Sequence, residues 1–335
     1  MPRTIAQPQP TQRSDSRLLG SSDAMCQLRD QISVAAQYME PALVLGESGG
    51  GKELVARQIH AHSSRSQAAP EIVNCAGLSP DVLASELFGH RRGAFTGAER
   101  DRTGRIRVAN GSTLVLDEIS EAPPSLQAAV LRAVEYGEVQ PVGCDTAFRV
   151  DVRFVATSNK TLTDLGGGVG FRADLLHRLA AFVILVPPLA ERLDDIDEIA
   201  AAYLATLGIR YGRERQLSSG GLALLHQHTF PGNVRELRQI LLRAYAASSE
   251  EIIAPAAVGE AILPVDREPS SAVPDSRPTS LALEEAVRGR ILQAIAMADG
   301  NLSQAARPLE IPRSTLQHYL VKYRIEAPTR GRAAR

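Results

Sequence analysis

The chain has 335 residues, 44% hydrophobic and 22% charged, with a formal net charge of −1; these are the proportions of an ordinary globular protein with room for two or three domains. No apolar run approaches the ~18 residues of a membrane span, and the polar, proline-containing residues 1–17 lack a signal-peptide core, so the cytoplasm is the expected setting. Cys26, Cys75 and Cys144 lie far apart without CxxC or metal spacing and are expected as free thiols, and the His60/His62 and His226/His228 pairs carry no zinc motif.

After the disordered-looking residues 1–17, residues 17–38 have amphipathic helical spacing. Ala42 to Leu45 is a short apolar run that predicts a buried strand, and residues 53–60 predict a helix. Between them stands Gly46-Glu47-Ser48-Gly49-Gly50-Gly51-Lys52. Strand, glycine-rich turn and helix are the context of a P-loop. The glycines let the backbone N–H groups curl into one concavity at a helix N-terminus, which binds phosphate oxygens. Lys52 would reach the β- and γ-phosphates as a point charge. A generic P-loop continues with Ser or Thr to help hold Mg²⁺, but Glu53 stands there, so the magnesium must lean on other ligands.

Residues 71–75 predict a second strand, 81–88 a helix, and 89–98 a glycine-containing loop. Residues 111–118 read as a third strand, ending in Asp117 and Glu118. A helix over 125–136, a fourth strand over 152–159, a glycine-rich turn over 166–170, a helix bearing Arg172 and Arg178, and a fifth strand over 182–186 follow. Alternating strands and helices predict a parallel sheet covered on both faces. Ligands of such a sheet sit beyond the carboxyl ends of its strands. Asp117 would therefore hold Mg²⁺, directly or through water, Glu118 would orient and deprotonate the attacking water, and Asn159 would sense or position the γ-phosphate. Residues 194–263 read as helical with no good strand, 264–280 as a proline-rich linker, and 281–325 as helical again.

Residues 281–335 carry nine Lys/Arg against five Asp/Glu, whereas the rest of the chain is net acidic. A basic terminal segment on an acidic body suggests a nucleic-acid module. Within it, a helix over 281–298 precedes two short helices over 302–309 and 312–323, joined by a tight turn, as in a helix-turn-helix. Arg313, Ser314, Thr315, Gln317 and His318 would face base edges, with Lys322, Arg324 and the tail arginines on phosphates. A three-helix oligomerisation cap is the other reading of this segment.

Residues 18–263 resemble the AAA+ domain of bacterial activators of sigma-54 RNA polymerase. The resemblance rests on the P-loop followed by glutamate, on Gly93-Ala94-Phe95-Thr96-Gly97-Ala98, which matches the family's hexapeptide without change, and on three further blocks. These are the segment 171–179 with Arg172 and Arg178, the block 187–192, and the block 230–237 with Arg235. Residues 281–327 resemble the Fis-type end of the same activators. Departures are Gly50 for a common threonine, Ala190 for arginine, Phe230 for tryptophan, Glu310 for the turn glycine, and Pro308 inside a helix.

The resemblance implies an AAA+ P-loop NTPase with a parallel sheet (18–190), a helical lid (191–263), a linker (264–280), an all-α helix-turn-helix domain (281–327) and a basic tail (328–335). It implies an ATPase using ATP and Mg²⁺. Arg172 and Arg178 would act as fingers on a neighbour's nucleotide in a homo-oligomer, a hexameric ring by analogy. Arg235 would report nucleotide state to the lid, and Asn74 would hold Glu118 away from water. The hexapeptide would touch sigma-54 within the polymerase holoenzyme, and the C-terminal module would bind upstream enhancer DNA. With only about 17 residues ahead of the match, against the ~50 a domain needs, the chain resembles the subgroup without an N-terminal regulatory domain, such as the phage-shock and type III secretion activators. Control is then expected from self-assembly, from DNA, or from a separate regulatory protein docking on the AAA+ surface. A general AAA+ remodelling ATPase is disfavoured by the intact hexapeptide. A repressor with a decayed ATPase is disfavoured by intact Lys52, Asp117, Glu118 and Arg178.

Overall fold

A computed structural model describes residues 17–95, 97–167, 170–262 and 302–305. Thr96, the linker, and Arg313, Ser314, Thr315, Gln317, His318 and Lys322 lie outside the described residues, which beyond residue 262 comprise one helical turn, Leu302–Ala305.

Five strands form the central sheet: β1 (Ala42–Leu45), β2 (Glu71–Asn74), β5 (Thr113–Asp117), β8 (Arg153–Ser158) and β9 (Phe182–Leu185). Their order is β2-β5-β8-β1-β9 and every pairing is parallel. The alternation of the pleat divides the core in two. Leu43, Leu45, Leu114, Leu116, Phe154 and Ala156 face α3 (Pro80–Phe88), α4 (Arg105–Val108), α5 (Pro124–Tyr136), α6 (Leu162–Gly167) and α7 (Ala173–Leu179). Ala42, Val44, Val115, Val155 and Ile184 face α1 (Asp23–Ala36) and α2 (Lys52–Ala61). Apolar cover on both faces is why the inner strands β1, β5 and β8 read as largely hydrophobic runs. Two small antiparallel pairs ride on this layer: β3 (Gly89–His90) with β4 (Arg102–Thr103), and β6 (Glu138–Val139) with β7 (Phe148–Arg149). Strands of two residues carry no periodicity, so the sequence did not show them.

Four helices follow: α8 (Ile196–Tyr211), α9 (Ser219–His226), α10 (Asn233–Ala247) and α11 (Pro255–Ala261), packed around Leu204, Leu225, Phe230, Leu237, Leu241 and Ile253. The expectation of no strand here is corrected. β10 (Gln216–Leu217) and β11 (Ile252–Ile253) pair in parallel, Ser218 N donating to Ile253 O beyond them. Of the glycine-rich turn expected at 166–170, Gly166 and Gly167 are corrected to the last residues of α6, Gly170 stands in a turn, and 168–169 lie outside the described residues. Nor does the first helix start at Arg17. Residues 17–22 form an irregular strap, and Ser22 then caps α1 by accepting from Met25 N. The fully buried Asp195 carboxylate accepts from Ser22 N and Oγ, both at 2.8 Å, and lies against Gly20, whose φ of 120° and lack of a Cβ permit the approach. A tertiary anchor of this kind overrides helical spacing.

Arg153, 1% exposed, opens β8 and donates to Ala35 O at 2.6 Å and Ala36 O at 3.4 Å, the last carbonyls of α1. The negative end of the helix thus receives a buried cation. Arg153→Ala would leave a void and strip the side-chain donor from both carbonyls, of which Ala35 O keeps Tyr38 N at 3.3 Å, and is expected to destabilise the fold by about 3 kcal/mol. Denaturant unfolding measures this, and a loss near zero would refute the cap.

Candidate active site

β1 runs into the glycine-rich turn, and Gly46 N donates to Ser158 O at 3.3 Å at the end of β8. Gly49 (φ 78°) and Gly51 (φ 106°) take left-handed conformations that side chains disfavour, which curls the turn onto the N-terminus of α2. Ser48, Gly49, Gly50, Gly51, Lys52 and Glu53 line a cavity of about 1260 Å³ together with Asp117, Glu118 and Arg235. Gly46 and Glu47 lie behind it and accept from Lys52 Nζ through their carbonyls, at 2.9 and 3.3 Å. Lys52 is 6% exposed and also pairs with Glu118 Oε1 at 3.0 Å.

The acids are set by strand register. Asp117 ends β5, where Thr157 Oγ1 of β8 donates to its Oδ1 at 2.7 Å and also accepts from Glu118 N at 3.0 Å. Asn74 donates to Asp117 Oδ2 at 3.0 Å. The expected Asn74–Glu118 contact is therefore corrected. The parallel register aligns Asn74 with Asp117, so their side chains share one face of the sheet. Glu118 stands one residue beyond, and its φ of 52°, strained for a residue with a side chain, turns it toward Lys52. Its Oε2 accepts from Asn159 N at 3.0 Å, so Asn159 joins the site through its backbone.

Burial, followed by the charges of Glu118 and Glu53, raises the pKa of Asp117 despite the Thr157 hydrogen bond and Lys52. Asp117, which has no ion-pair partner among the described residues while Glu118 pairs with Lys52 and Glu53 with Arg57, fits Mg²⁺, which is held by one or two carboxylates plus phosphate oxygens. Among the described residues no group of three or more His, Cys, Asp or Glu is placed to hold a metal. Cys75, buried beside Asp117, has its thiol pushed up to about 12 by burial and that charge, which leaves it inert.

The helical region closes the cavity. Arg235 Nη1 donates to Ser48 Oγ at 3.0 Å. Asn233 Nδ2 donates to Glu47 Oε2 at 2.8 Å and to Ser48 O at 3.2 Å. Gly49 sits so close that a Cβ there would run into the Gly232 carbonyl oxygen and Arg235 Cβ. Gly49→Ala adds left-handed strain to that clash, and should weaken ADP binding by about tenfold or more; calorimetry with wild-type affinity would overturn this close approach. Arg192, quoted in a motif but given no role, donates to Gly50 O at 3.1 Å from a buried position. Thr157, Asn233, Asp195 and the strap residues Leu18 and Leu19, which line the cavity, also escaped sequence reasoning. The only signal in sequence was the turn-like Phe230-Pro231-Gly232-Asn233.

Arg172 is exposed and pairs with Asp174 at 2.7 Å. Arg178 is exposed in the last turn of α7, and neither arginine lines the cavity over Lys52. The hexapeptide spans a loop between β3 and β4. Gly93 (φ 82°) donates to Ala98 O at 2.9 Å, closing its ends together, and the Arg91–Asp101 pair at 2.6 Å brackets it. Phe95 is half-buried, edge-on to His90 at 4.9 Å, and Ala94 packs on Gly143 between β6 and β7.

No helix among the described residues is long and apolar enough to cross a membrane. Residues 18–185 match the Sigma-54 interaction domain, 190–273 the AAA+ ATPase lid domain, and 282–323 the bacterial regulatory proteins of the Fis family. The chain is 42% identical over 318 residues to the anaerobic nitric oxide reductase transcription regulator NorR of Escherichia fergusonii, covering 92% of this chain and 62% of that protein. It is 44% identical over 244 residues to the Nif-specific regulatory protein of Enterobacter agglomerans, covering 73% of this chain and 47% of that one. The chain thus spans less than two thirds of these relatives. Crystal structures of NtrX from Brucella abortus superpose along 93% of this chain and 71% of that one in the ADP complex, with 30% identity and a TM-score of 0.67. The ATP complex of the same protein gives 29% identity and a TM-score of 0.66 over 92% of this chain and 70% of that one. Since the first match alone runs through both the P-loop and the hexapeptide, the chain belongs to the Sigma-54 interaction domain family, in the form that also carries an AAA+ lid and a Fis-type helix-turn-helix.

Proposed function

We propose that this chain is an ATP-hydrolysing transcription activator that binds upstream DNA and remodels the closed complex of sigma-54 RNA polymerase. The observation that carries this reading is the Lys52–Glu118 pair at 3.0 Å on the floor of the cavity. A γ-phosphate entering there competes with Glu118 for Lys52. Glu118, still anchored by Asn159 N, is then free to orient a water and take its proton. Mg²⁺ at Asp117 would supply neutralising charge at the phosphate oxygens. Arg172 and Arg178, outside their own chain's cavity, serve a neighbour's nucleotide in a hexameric ring.

In this reading residues 18–190 and 191–263 are the two parts of the ATPase, and Arg235 on the second part reports nucleotide state. The hexapeptide, Gly93 to Ala98, engages sigma-54. Residues 281–327 hold DNA through Arg313, Ser314, Thr315, Gln317, His318 and Lys322. The deciding experiment is open-complex formation, probed by permanganate, on a sigma-54 promoter and a sigma-70 promoter. ATP-dependent opening confined to the sigma-54 promoter is expected. No opening, or opening at both, would refute the proposal.

A further inference from the structure

Glu47 touches both the lysine that answers to phosphate and the helix that closes over it. Its backbone carbonyl accepts from Lys52 Nζ at 3.3 Å and from Gly50 N at 3.2 Å, and its carboxylate accepts from Asn233 Nδ2 at 2.8 Å. Asn233 is fully buried at the start of α10. Its Nδ2 also donates to Ser48 O at 3.2 Å, and its Oδ1 accepts from Leu189 N at 2.7 Å. These partners fix the amide's orientation, since a carboxylate demands the NH₂ and a backbone N–H demands the oxygen. One side chain therefore joins three segments: the glycine-rich turn, the connection at Leu189, and α10. Two residues along α10, Arg235 reaches Ser48 in the same turn.

We infer that Asn233 and Glu47 form a latch that registers α10 on the P-loop and passes the response of Lys52 to phosphate on to Arg235. This rests on the ATPase reading above. When Lys52 turns to a phosphate it releases the carbonyls of Gly46 and Glu47. The turn can then shift, and Asn233, bonded to both Glu47 and Ser48, carries that shift into the helix bearing Arg235. Asn233 is a positioning residue, acting through Arg235.

The test uses the full chain with Glu47→Gln, Asn233→Asp, the double variant, and Arg235→Ala in the wild-type and Asn233→Asp backgrounds. Aspartate tolerates the left-handed backbone of Asn233 (φ 52°) but sets its carboxylate against that of Glu47. In the double variant the amide introduced by Glu47→Gln can donate to the carboxylate introduced by Asn233→Asp, which reverses the hydrogen bond. Expected values of kcat/KM for ATP are a loss of about tenfold or more for Asn233→Asp, a smaller loss for Glu47→Gln, whose amide oxygen can still accept from Asn233, and a severalfold recovery over Asn233→Asp in the double variant, incomplete because the new carboxylate still faces Ser48 O. Arg235→Ala should add little to Asn233→Asp, since the latch works through that arginine, although it is costly alone.

A double variant no better than Asn233→Asp, or an Arg235→Ala effect of equal size in both backgrounds, would overturn the latch. If Asn233→Asp fails to fold, melting of the double variant still decides, because restored melting supports the pair and continued failure refutes it. A wild-type chain silent toward ATP would sink the ATPase reading instead. ADP calorimetry and nucleotide-free melting on the same variants would then judge the latch.

Discussion

Glu118→Gln is expected to keep ATP bound while slowing its hydrolysis by about 10²–10⁴-fold. An amide cannot take a proton from water, yet it preserves the shape of the side chain and can still accept from Asn159 N. The same change removes the anion that pairs with Lys52 at 3.0 Å. Because Lys52 is nearly buried, that pair is poorly screened and competes with an incoming phosphate. Affinity for ATP should therefore be unchanged or higher. Lys52→Ala is the contrast, removing the phosphate contact and with it productive binding. Nucleotide titration and single-turnover hydrolysis on the two variants separate the roles. Wild-type turnover by Glu118→Gln, or equal affinity in Lys52→Ala and wild type, would overturn the assignment.

Arg178→Ala should cost about 10³-fold or more in turnover, the scale of a lost arginine finger. Arg178 lies exposed in the last turn of α7, its side chain makes no hydrogen bond or ion pair with a described residue, and it does not line its own cavity. A cation that completes the site only from a neighbour can be supplied by a different subunit. Mixing Arg178→Ala with Lys52→Ala subunits should then restore part of the hydrolysis, because some interfaces combine an intact Lys52 with an intact Arg178. Subunit exchange is confirmed by a fluorescent label on one variant. Exchanged assemblies that remain inactive would refute catalysis across the interface.

Much of the fold was legible because it rests on local pattern. Parallel strands buried on both faces are largely apolar, so β1, β5 and the middle of β8 could be read as short hydrophobic runs, and the edge strand β9 is apolar in sequence although Val183 and Leu185 are exposed. The turn from Gly46 to Lys52 was legible because phosphate binding needs glycine where the backbone turns left-handed, as Gly49 and Gly51 do. Asp117 and Glu118 were legible as acids ending such a strand. Resemblance, not periodicity, singled out Arg172, Arg178, Arg235 and the hexapeptide.

The parallel α/β layer, the P-loop, the acids beside it and the helical character of the region that follows were thus open to a reading of local pattern. Which residues partner one another was settled by packing. Asn74 meets Asp117 rather than Glu118 because β2 lies beside β5 in a register that aligns those two residues. Lys52 meets Glu118 because a left-handed residue follows β5. Residues 17–22 are a strap rather than a helix because Asp195, 173 positions after Ser22, holds them. Asn233 reaches Glu47 across 186 positions. Helix and strand preferences act among near neighbours and leave a periodic trace, whereas hydrogen bonds between distant segments depend on strand order, register and packing, which no local pattern encodes.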